Sequence, residues 1–162
     1  MKTTVAAIFI LFQCCSVSLA QSEALVGVGK IDDLFGTAHQ DWYEPNYATV
    51  KIEETTIQAF PQIDAQDLSI KVVMGTWCSD SKIHVPHFFR ILDYWHVKPQ
   101  TTVYFVNRSK KLKAKGYKKM NIELVPTFIF YNNKNVEIGR ITEQHNSTLE
   151  KDILRILKYF VE

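Results

Sequence analysis

The amino-acid sequence predicts an α/β fold in which a central mixed β-sheet is flanked by helices. Residues 68–74 and 101–106 are apolar runs with too few polar breaks for half-exposed strands, which is typical of central strands. Two further runs, 126–131 and 136–141, flank a polar turn and have the pattern of an antiparallel hairpin. Helical segments between the first two runs and after the hairpin complete a mixed sheet with crossovers.

The composition is that of a folded globular protein of one ordinary domain plus an extension. The chain has 162 residues, of which 46% are hydrophobic and 22% are charged. Its 19 basic and 17 acidic residues leave a net charge of +2, too balanced for the electrostatic footprint of a nucleic-acid-binding protein. The sequence therefore predicts no nucleic-acid partner.

Residues 1–20 have the features of a secretory signal peptide. An apolar run at 5–12 follows a basic residue, and small residues lead up to Ala20, where cleavage is expected. The run is shorter than the roughly 20 apolar residues of a membrane span. We therefore predict an exported protein, periplasmic or extracellular, with no integral span in the mature chain. An uncleaved anchor and a lipoprotein signal at Cys14 or Cys15 are the alternatives.

Residues 21–67 are predicted to form an N-terminal helical extension packed on the main domain, which covers 68–162. Trp42, Tyr43 and Tyr47 can share one face of a helix around Pro45. The spacing of apolar residues at 57–60 is again helical, and a proline follows directly.

Two longer helices are predicted in the main domain. Ser79 to about Tyr94 places Ile83, Phe88, Ile91, Leu92 and Trp95 mostly on one side, with Pro86 inside the helix as the expected site of a kink. A terminal helix from about 148 to 160 has amphipathic spacing.

Six lysines between residues 110 and 119 form a basic stretch after the second strand run. Such a stretch could attract an anionic partner, but runs of this kind are usually solvated, and we predict a solvated helix or loop.

Cys78 is the one cysteine that would be left after signal cleavage, so no intramolecular disulfide is expected. A lone cysteine in an oxidising compartment is either buried and inert or a thiol that reacts with something outside the chain. Cys78 lies where the helix after the first strand begins, and unpaired backbone N–H groups there favour the thiolate. Asp80 lies two residues further on, and its carboxylate opposes the thiolate.

The segment around this cysteine resembles the active site of the thioredoxin family. Trp-Cys-Ser-Asp-Ser-Lys at 77–82, with Pro86 eight residues after the cysteine, is similar to the family's Trp-Cys-x-x-Cys-Lys segment and its helix-kinking proline. Val-Pro-Thr at 125–127 resembles the family's cis-proline before the hairpin strand. The resemblance covers residues 68–160 and implies a thioredoxin-like fold with the proline beside the cysteine.

Two positions depart from the family pattern. Ser81 stands where the family has its second cysteine, the residue that resolves a mixed disulfide. Val72 stands six residues before Cys78, where the resemblance implies a buried acid. Dithiol chemistry within one chain is therefore not expected. The Gly-Thr-Trp-Cys pattern at 75–78 and the aromatic-rich extension also resemble thioredoxin-family proteins exported by Bacteroidetes-type bacteria.

These observations predict an exported protein that performs thiol–disulfide exchange through one thiol, as an isomerase or a deglutathionylating enzyme would. An external thiol would resolve the mixed disulfide, and the partner would be a protein or a low-molecular-weight thiol or disulfide. No cofactor is expected. The site residues are Cys78 and Ser81 as catalytic groups, Trp77, Val125 and Pro126 as substrate-binding groups, and Asp80, Lys82 and Pro86 as structural or tuning groups. Ser81 is expected to donate a hydrogen bond to the Cys78 thiolate.

The sequence is also compatible with two other interpretations. A thioredoxin-fold binding or adaptor module in the cell envelope would use the same groove without turnover. His84 and His87, spaced three apart, could join Cys78 in a copper or zinc site. No second cysteine supports such a metal site, and none is predicted.

Overall fold

The computed structural model describes residues 23–143 and 147–161, so the predicted signal peptide lies outside the described residues. Within these ranges the elements follow in the order β1 (Gly27–Gly29), α1 (Gln40–Thr49), α2 (Glu54–Gln58), β2 (Leu68–Met74), α3 (Ser79–Tyr94), β3 (Gln100–Phe105), β4 (Thr127–Asn132), β5 (Glu137–Thr142) and α4 (Leu149–Val161). No helix of this part has the length and apolar character that a membrane crossing needs.

The five strands form one mixed sheet in the order β1-β3-β2-β4-β5. Strands β2 and β3 are parallel, and the other neighbouring pairs are antiparallel. The prediction of an α/β fold with β2 at the centre and a closing hairpin is therefore confirmed. Parallel β2 and β3 end at the same edge of the sheet, and the chain leaves that edge into the segment that carries Cys78.

Strand β1 was not predicted, because its sequence Gly-Val-Gly is too short and too rich in glycine to show a strand pattern. It pairs antiparallel with β3, with Gly27 opposite Phe105 and Val28 opposite Tyr104. The rest of the preceding segment is helical or irregular, and α1 packs on α3. The extension thus contributes an edge strand as well as helices.

One face of the sheet, here called the helical face, packs against all four α-helices. Alternation along β2 points Leu68, Ile70, Val72 and Met74 to this side, where they join buried residues of α1, α2, α3 and α4 in one apolar cluster. The helical face holds the largest buried side chains, which include Trp95, Phe88, Phe105, Phe128 and Phe130.

Helix α3 has the predicted bounds, but one of its residues lies on the wrong side. Phe88, Ile91 and Leu92 are buried as expected, whereas Ile83 is 56% exposed. Ile83 lies about 140° around the helix from Phe88, off the apolar stripe that Val85 occupies instead.

In the described part of the chain, the opposite face, here called the loop face, is covered without any α-helix. Its apolar cluster includes Val73 of β2, Tyr104 of β3 and Ile129 of β4. These side chains pack against segment 107–126, in which Tyr117 and Met120 of a 3₁₀ turn are buried together with Val125. The lysine-rich stretch lies in this segment and is mostly solvated loop, as predicted. Cys78 belongs to the loop-face cluster.

Candidate active site around Cys78

The active-site loop is a tight turn between β2 and α3. The Cys78 N–H donates to the Gly75 carbonyl at 2.9 Å, and the Lys82 N–H donates to the Cys78 carbonyl at 3.1 Å as the first bond of the helix. Cys78 is therefore the N-cap residue of α3, with extended backbone dihedrals. The helix begins where the sequence predicted, with the thiol at its N-terminus.

The Cys78 thiol lies against the segment before β4. Its Sγ donates a hydrogen bond to the Val125 carbonyl at 3.2 Å, and the Val125–Pro126 peptide bond is cis. Cys78 is 8% exposed and free of any disulfide. The structure thus brings Cys78 beside Val125 and Pro126, which lie more than 45 positions further along the sequence.

Trp77 packs over the active-site loop. Its indole Nε1 donates to the Val106 carbonyl at 2.9 Å, and the Arg108 guanidinium lies 5.8 Å from the ring centroid. The ring lies directly over Gly75, where a Cβ atom would come within 2.5 Å of the indole Cε2. Gly75 is required here because only a residue without a side chain leaves room for the ring.

Ser81 is fully buried and supports the loop from inside the helix. Its Oγ accepts a hydrogen bond from the Gly75 N–H at 3.3 Å. The hydrogen bond that we expected from Ser81 to Cys78 is not formed in the structure. The thiol uses the Val125 carbonyl, and the serine hydroxyl lies beneath the start of the turn.

Pro86 is tolerated in α3 because α1 replaces the hydrogen bond that it removes. Proline has no N–H to donate to the carbonyl four residues earlier, which is that of Lys82. The Asn46 side-chain amide of α1 donates to this carbonyl at 3.0 Å, and the Lys82 ammonium lies 5.7 Å from the Trp42 ring centroid. Sequence reasoning missed Asn46, because its partner carbonyl is 36 residues away and no local pattern marks it.

The N-terminal extension is also tied to the loop itself. The Leu25 N–H donates to Thr76 Oγ1 at 3.1 Å, and Thr76 is buried. Residues on both sides of Cys78 are thus held by the extension, through Thr76 before it and Lys82 after it.

Two carboxylates lie beside the thiol. Cys78 Sγ and one oxygen from each of Asp80 and Glu143 all lie within 4.8 Å of one another. A side-chain hydrogen bond with Asp80 raises the pKa of Glu143, and burial and the charge of Asp80 act in the same direction. Glu143 follows β5 and was not predicted as a site residue, since nothing in its own sequence neighbourhood marks it.

A thiolate and two carboxylates are donors that could hold a divalent metal ion. The alternative set of His84, His87 and Cys78 does not converge in the described part of the chain. His87 instead faces Glu150 of α4, with 2.9 Å between Nε2 and Oε1. The sequence spacing of the histidines therefore does not define a centre with the cysteine.

Position 72 lacks the acid that the resemblance implied. Val72 is fully buried in the helical-face cluster, among residues of the same apolar character. The carboxylates near the thiol come from α3 and from the end of β5 instead.

Comparison with known proteins identifies the class to which this fold and site belong. A family model described as thioredoxin matches residues 34–150, and the chain belongs to the thioredoxin family. The match begins within the N-terminal extension and ends in α4. No curated protein sequence matches the chain.

Two solved structures with TM-scores above 0.5 share the fold. A protein of unknown function from Pseudomonas aeruginosa is similar at a TM-score of 0.54 and 13% identity, over 78% of this chain and 87% of that chain. An HIV epitope-scaffold is similar at a TM-score of 0.54 and 12% identity, over 76% of this chain and 87% of that chain. Thioredoxin f2 from Chlamydomonas reinhardtii has a TM-score of 0.42 and 23% identity, over 67% of this chain and 93% of that chain.

Proposed function

We propose that this protein performs thiol–disulfide exchange through the single thiol of Cys78. The observation that carries the proposal is the position of that thiol. It lies at the N-terminus of α3 and contacts the Val125 carbonyl, which belongs to the cis peptide group. Helix N-terminal N–H groups stabilise a developing thiolate. The Val125 carbonyl accepts a hydrogen bond from the thiol and so holds the sulfur beside the segment before β4.

The exchange has two balanced steps. The Cys78 thiolate attacks one sulfur of a substrate disulfide, so that a mixed disulfide forms and the other substrate sulfur leaves as a thiolate. An external thiolate then attacks the substrate sulfur of the mixed disulfide and releases the Cys78 thiolate. Ser81 has no sulfur with which to perform this second step, so the resolving thiol must come from another molecule.

The other predicted residues hold the site in shape. Trp77 would form one wall of the substrate groove, and Val125 and Pro126 would form the opposite wall. Ser81 acts on the turn through the Gly75 N–H. Lys82 and Pro86 link the first turns of α3 to α1 through the carbonyl that Asn46 binds.

The proposal includes export and its cellular setting. Residues 1–20 would direct the chain out of the cytoplasm, so the partner would be a protein or a small thiol or disulfide of the periplasm or the extracellular space. Residence in a Bacteroidetes-type bacterium stays a prediction from the resemblance.

A binding module without turnover is the second candidate, and one observation favours it. The thiol is nearly buried, and its sulfur lies within 4.8 Å of two carboxylate oxygens. Negative charge at this distance opposes the thiolate. In that case the groove between Trp77 and Pro126 would hold a partner segment, and Cys78 would be a packing residue.

Incubation with a peptide disulfide distinguishes the two candidates. The folded chain without residues 1–20 should form one mixed disulfide, seen by non-reducing mass spectrometry and located to the peptide that contains Cys78. Added thiol should then release it. Cys78→Ala should abolish the adduct and keep the circular dichroism spectrum, because a small apolar side chain fits the same apolar cluster. An adduct that forms only after denaturation would support the binding module.

A further inference from the structure

A cavity of about 900 Å³ opens on the loop face between the start of β1 and segment 107–118. Val26, Leu112 and Tyr117 supply its apolar wall, and the rim carries Lys111, Lys113 and Lys118. Volumes of about 300–1,000 Å³ are typical of sites for small molecules. Three lysines of the stretch that the sequence predicted to be solvated therefore line a partly apolar cavity.

The charge of these three lysines is not balanced by the part of the chain that the structure describes. None of them forms an ion pair there within 4.0 Å. A second basic cavity of about 470 Å³ lies along α4 and offers a contrast. Two of its three cations are neutralised, Lys151 by Glu53 at 3.1 Å and Arg155 by Asp152 at 2.9 Å. Within the described residues, the loop-face cavity thus carries three lysines without an ion pair, and the α4 cavity carries one cation without an ion pair, Lys158.

The cavity wall is held in place without a ligand. The Asn107 side-chain oxygen accepts from the Ser109 N–H at 3.0 Å and from the Lys111 N–H at 2.9 Å. The Tyr117 hydroxyl donates to the Lys110 carbonyl at 2.7 Å, which closes the loop on itself. A wall fixed in this way binds a ligand with a smaller loss of conformational entropy than a mobile loop would.

We propose that this cavity binds a small amphipathic anion, meaning a carboxylate or phosphate joined to an apolar body. The apolar body would lie against Val26, Leu112 and Tyr117, and the anionic group would meet the lysine ammonium groups. An extended nucleic acid is disfavoured by the net charge of +2. The site is distinct from the thiol chemistry, since none of its lining residues takes part in the exchange steps.

Octanoate and octyl phosphate are suitable probes, titrated calorimetrically into the full-length protein. Both should bind, and octyltrimethylammonium should not. Inorganic phosphate should bind at least about tenfold more weakly than octyl phosphate, because it cannot use the apolar wall. Raising the salt concentration should weaken the binding of both anions. The two probes also show whether the carboxylate or the phosphate is preferred.

Exposed lysines can be changed without disturbing the core, so the variants are expected to fold. Lys113→Gln and Lys118→Gln should each weaken octanoate binding about three- to tenfold, and the double variant should weaken it further. Lys158→Gln in the α4 cavity and Lys134→Gln in the hairpin turn are matched controls that should leave the affinity unchanged.

Several results would overturn the proposal. One is equal affinity for inorganic phosphate and octyl phosphate. A second is an octanoate affinity that Lys113→Gln and Lys118→Gln leave unchanged, or that Lys158→Gln alone reduces. A third is binding of a hexaglutamate peptide without any binding of octanoate. Failure of the amphipathic anions to bind leaves the mixed-disulfide test unaffected, because that test reports only on Cys78.

Discussion

Phe88 and Phe128 stack on the helical face of the sheet with 4.3 Å between ring centroids, and both are fully buried. On the loop face, Tyr104 and Tyr117 stack at 6.3 Å beside a segment whose regular structure is one 3₁₀ turn. Among the described residues, helices α1, α2, α3 and α4 cover the first face, and irregular chain covers the second. The thiol, the cis peptide bond and the lysine-lined cavity all belong to the second.

The comparison shows a division of labour within one small sheet. Dense aromatic packing on the helical face supplies most of the apolar burial, and apolar burial is the main favourable term in folding. Loop segments contribute less to stability and more often carry binding and catalytic groups. The following substitutions test that division, from the largest expected effect to the smallest.

Phe88→Ala should have the largest effect on stability. Removing a fully buried ring leaves a cavity at the centre of the helical face, and such changes cost about 3–5 kcal/mol. Urea unfolding followed by circular dichroism measures the loss. Ile83→Ala in the same helix is the control, because its side chain is 56% exposed, and it should cost less than about 1 kcal/mol. Equal losses would mean that α3 does not anchor the core as described.

Glu150→Gln should have the second largest effect, at about 2–3 kcal/mol. Glu150 is 2% exposed and joins three helices, since His87 of α3 lies 2.9 Å from its Oε1 and the Glu53 N–H before α2 donates to the same oxygen. Removing the charge weakens both contacts inside the protein. Urea unfolding at neutral pH measures the change, and Glu54→Gln on the exposed side of α2 should stay within about 0.5 kcal/mol.

The same carboxyl predicts a dependence of stability on pH. Burial alone would raise the pKa of Glu150, but the hydrogen bonds from His87 and from backbone N–H groups outweigh burial and lower the pKa. A carboxyl group whose pKa is lowered in the folded state stabilises the protein at pH values above its ordinary pKa of 4.5. This stabilisation is lost as the pH falls through the lowered pKa. Unfolding curves at acid pH should therefore show a smaller decrease for Glu150→Gln than for the unmodified chain.

Tyr117→Phe tests the loop face with a smaller change. It removes the hydroxyl that donates to the Lys110 carbonyl at 2.7 Å and keeps the ring. The cost should be about 1 kcal/mol, and proteolysis or hydrogen exchange should increase within residues 107–117 alone. Tyr159→Phe, at an exposed position of α4, should have no effect. Increased exchange across the whole sheet would show that the loop and the core open together.

Glu143→Gln should change the chemistry of the site and leave stability unaltered. As the pH rises through the raised pKa of Glu143, a second negative charge appears beside Cys78 and opposes the thiolate. At pH values above that raised pKa, the neutral amide should therefore increase the rate of Cys78 alkylation by iodoacetamide about two- to fivefold, a modest factor because solvent screens the carboxylate. Glu123→Gln is the exposed control. An unchanged rate would mean that Glu143 does not influence the reactivity of Cys78.

The sequence predicted those parts of the molecule that have a local pattern. Strand β2 is a continuous apolar run and α3 has a helical apolar stripe, so both have the expected bounds. Strand β1 has three residues, too few for any periodicity to show. Its existence depends on the pairing of Val28 with Tyr104 far along the chain.

The candidate site likewise has residues that the local sequence predicted and residues that it did not. Cys78 was identified from its position between a strand and a helix, which is local information. Asn46 and Glu143 were missed because each meets its partner across 36 or more residues of chain. The role of Ser81 was also misread, since only the folded turn shows that its hydroxyl bonds to the Gly75 N–H.

Reaction of the native protein with 5,5′-dithiobis(2-nitrobenzoate) tests the central claim most directly, namely that Cys78 reacts from the folded state. The chain without residues 1–20, in which Cys78 is the one cysteine, should release one equivalent of thionitrobenzoate that is absent from Cys78→Ala, at a rate independent of urea below the unfolding transition. The Phe88→Ala variant should react at the same rate while it remains folded. Release that rises with urea in proportion to the unfolded fraction, or that needs full denaturation, would contradict the claim and leave Cys78 a structural residue.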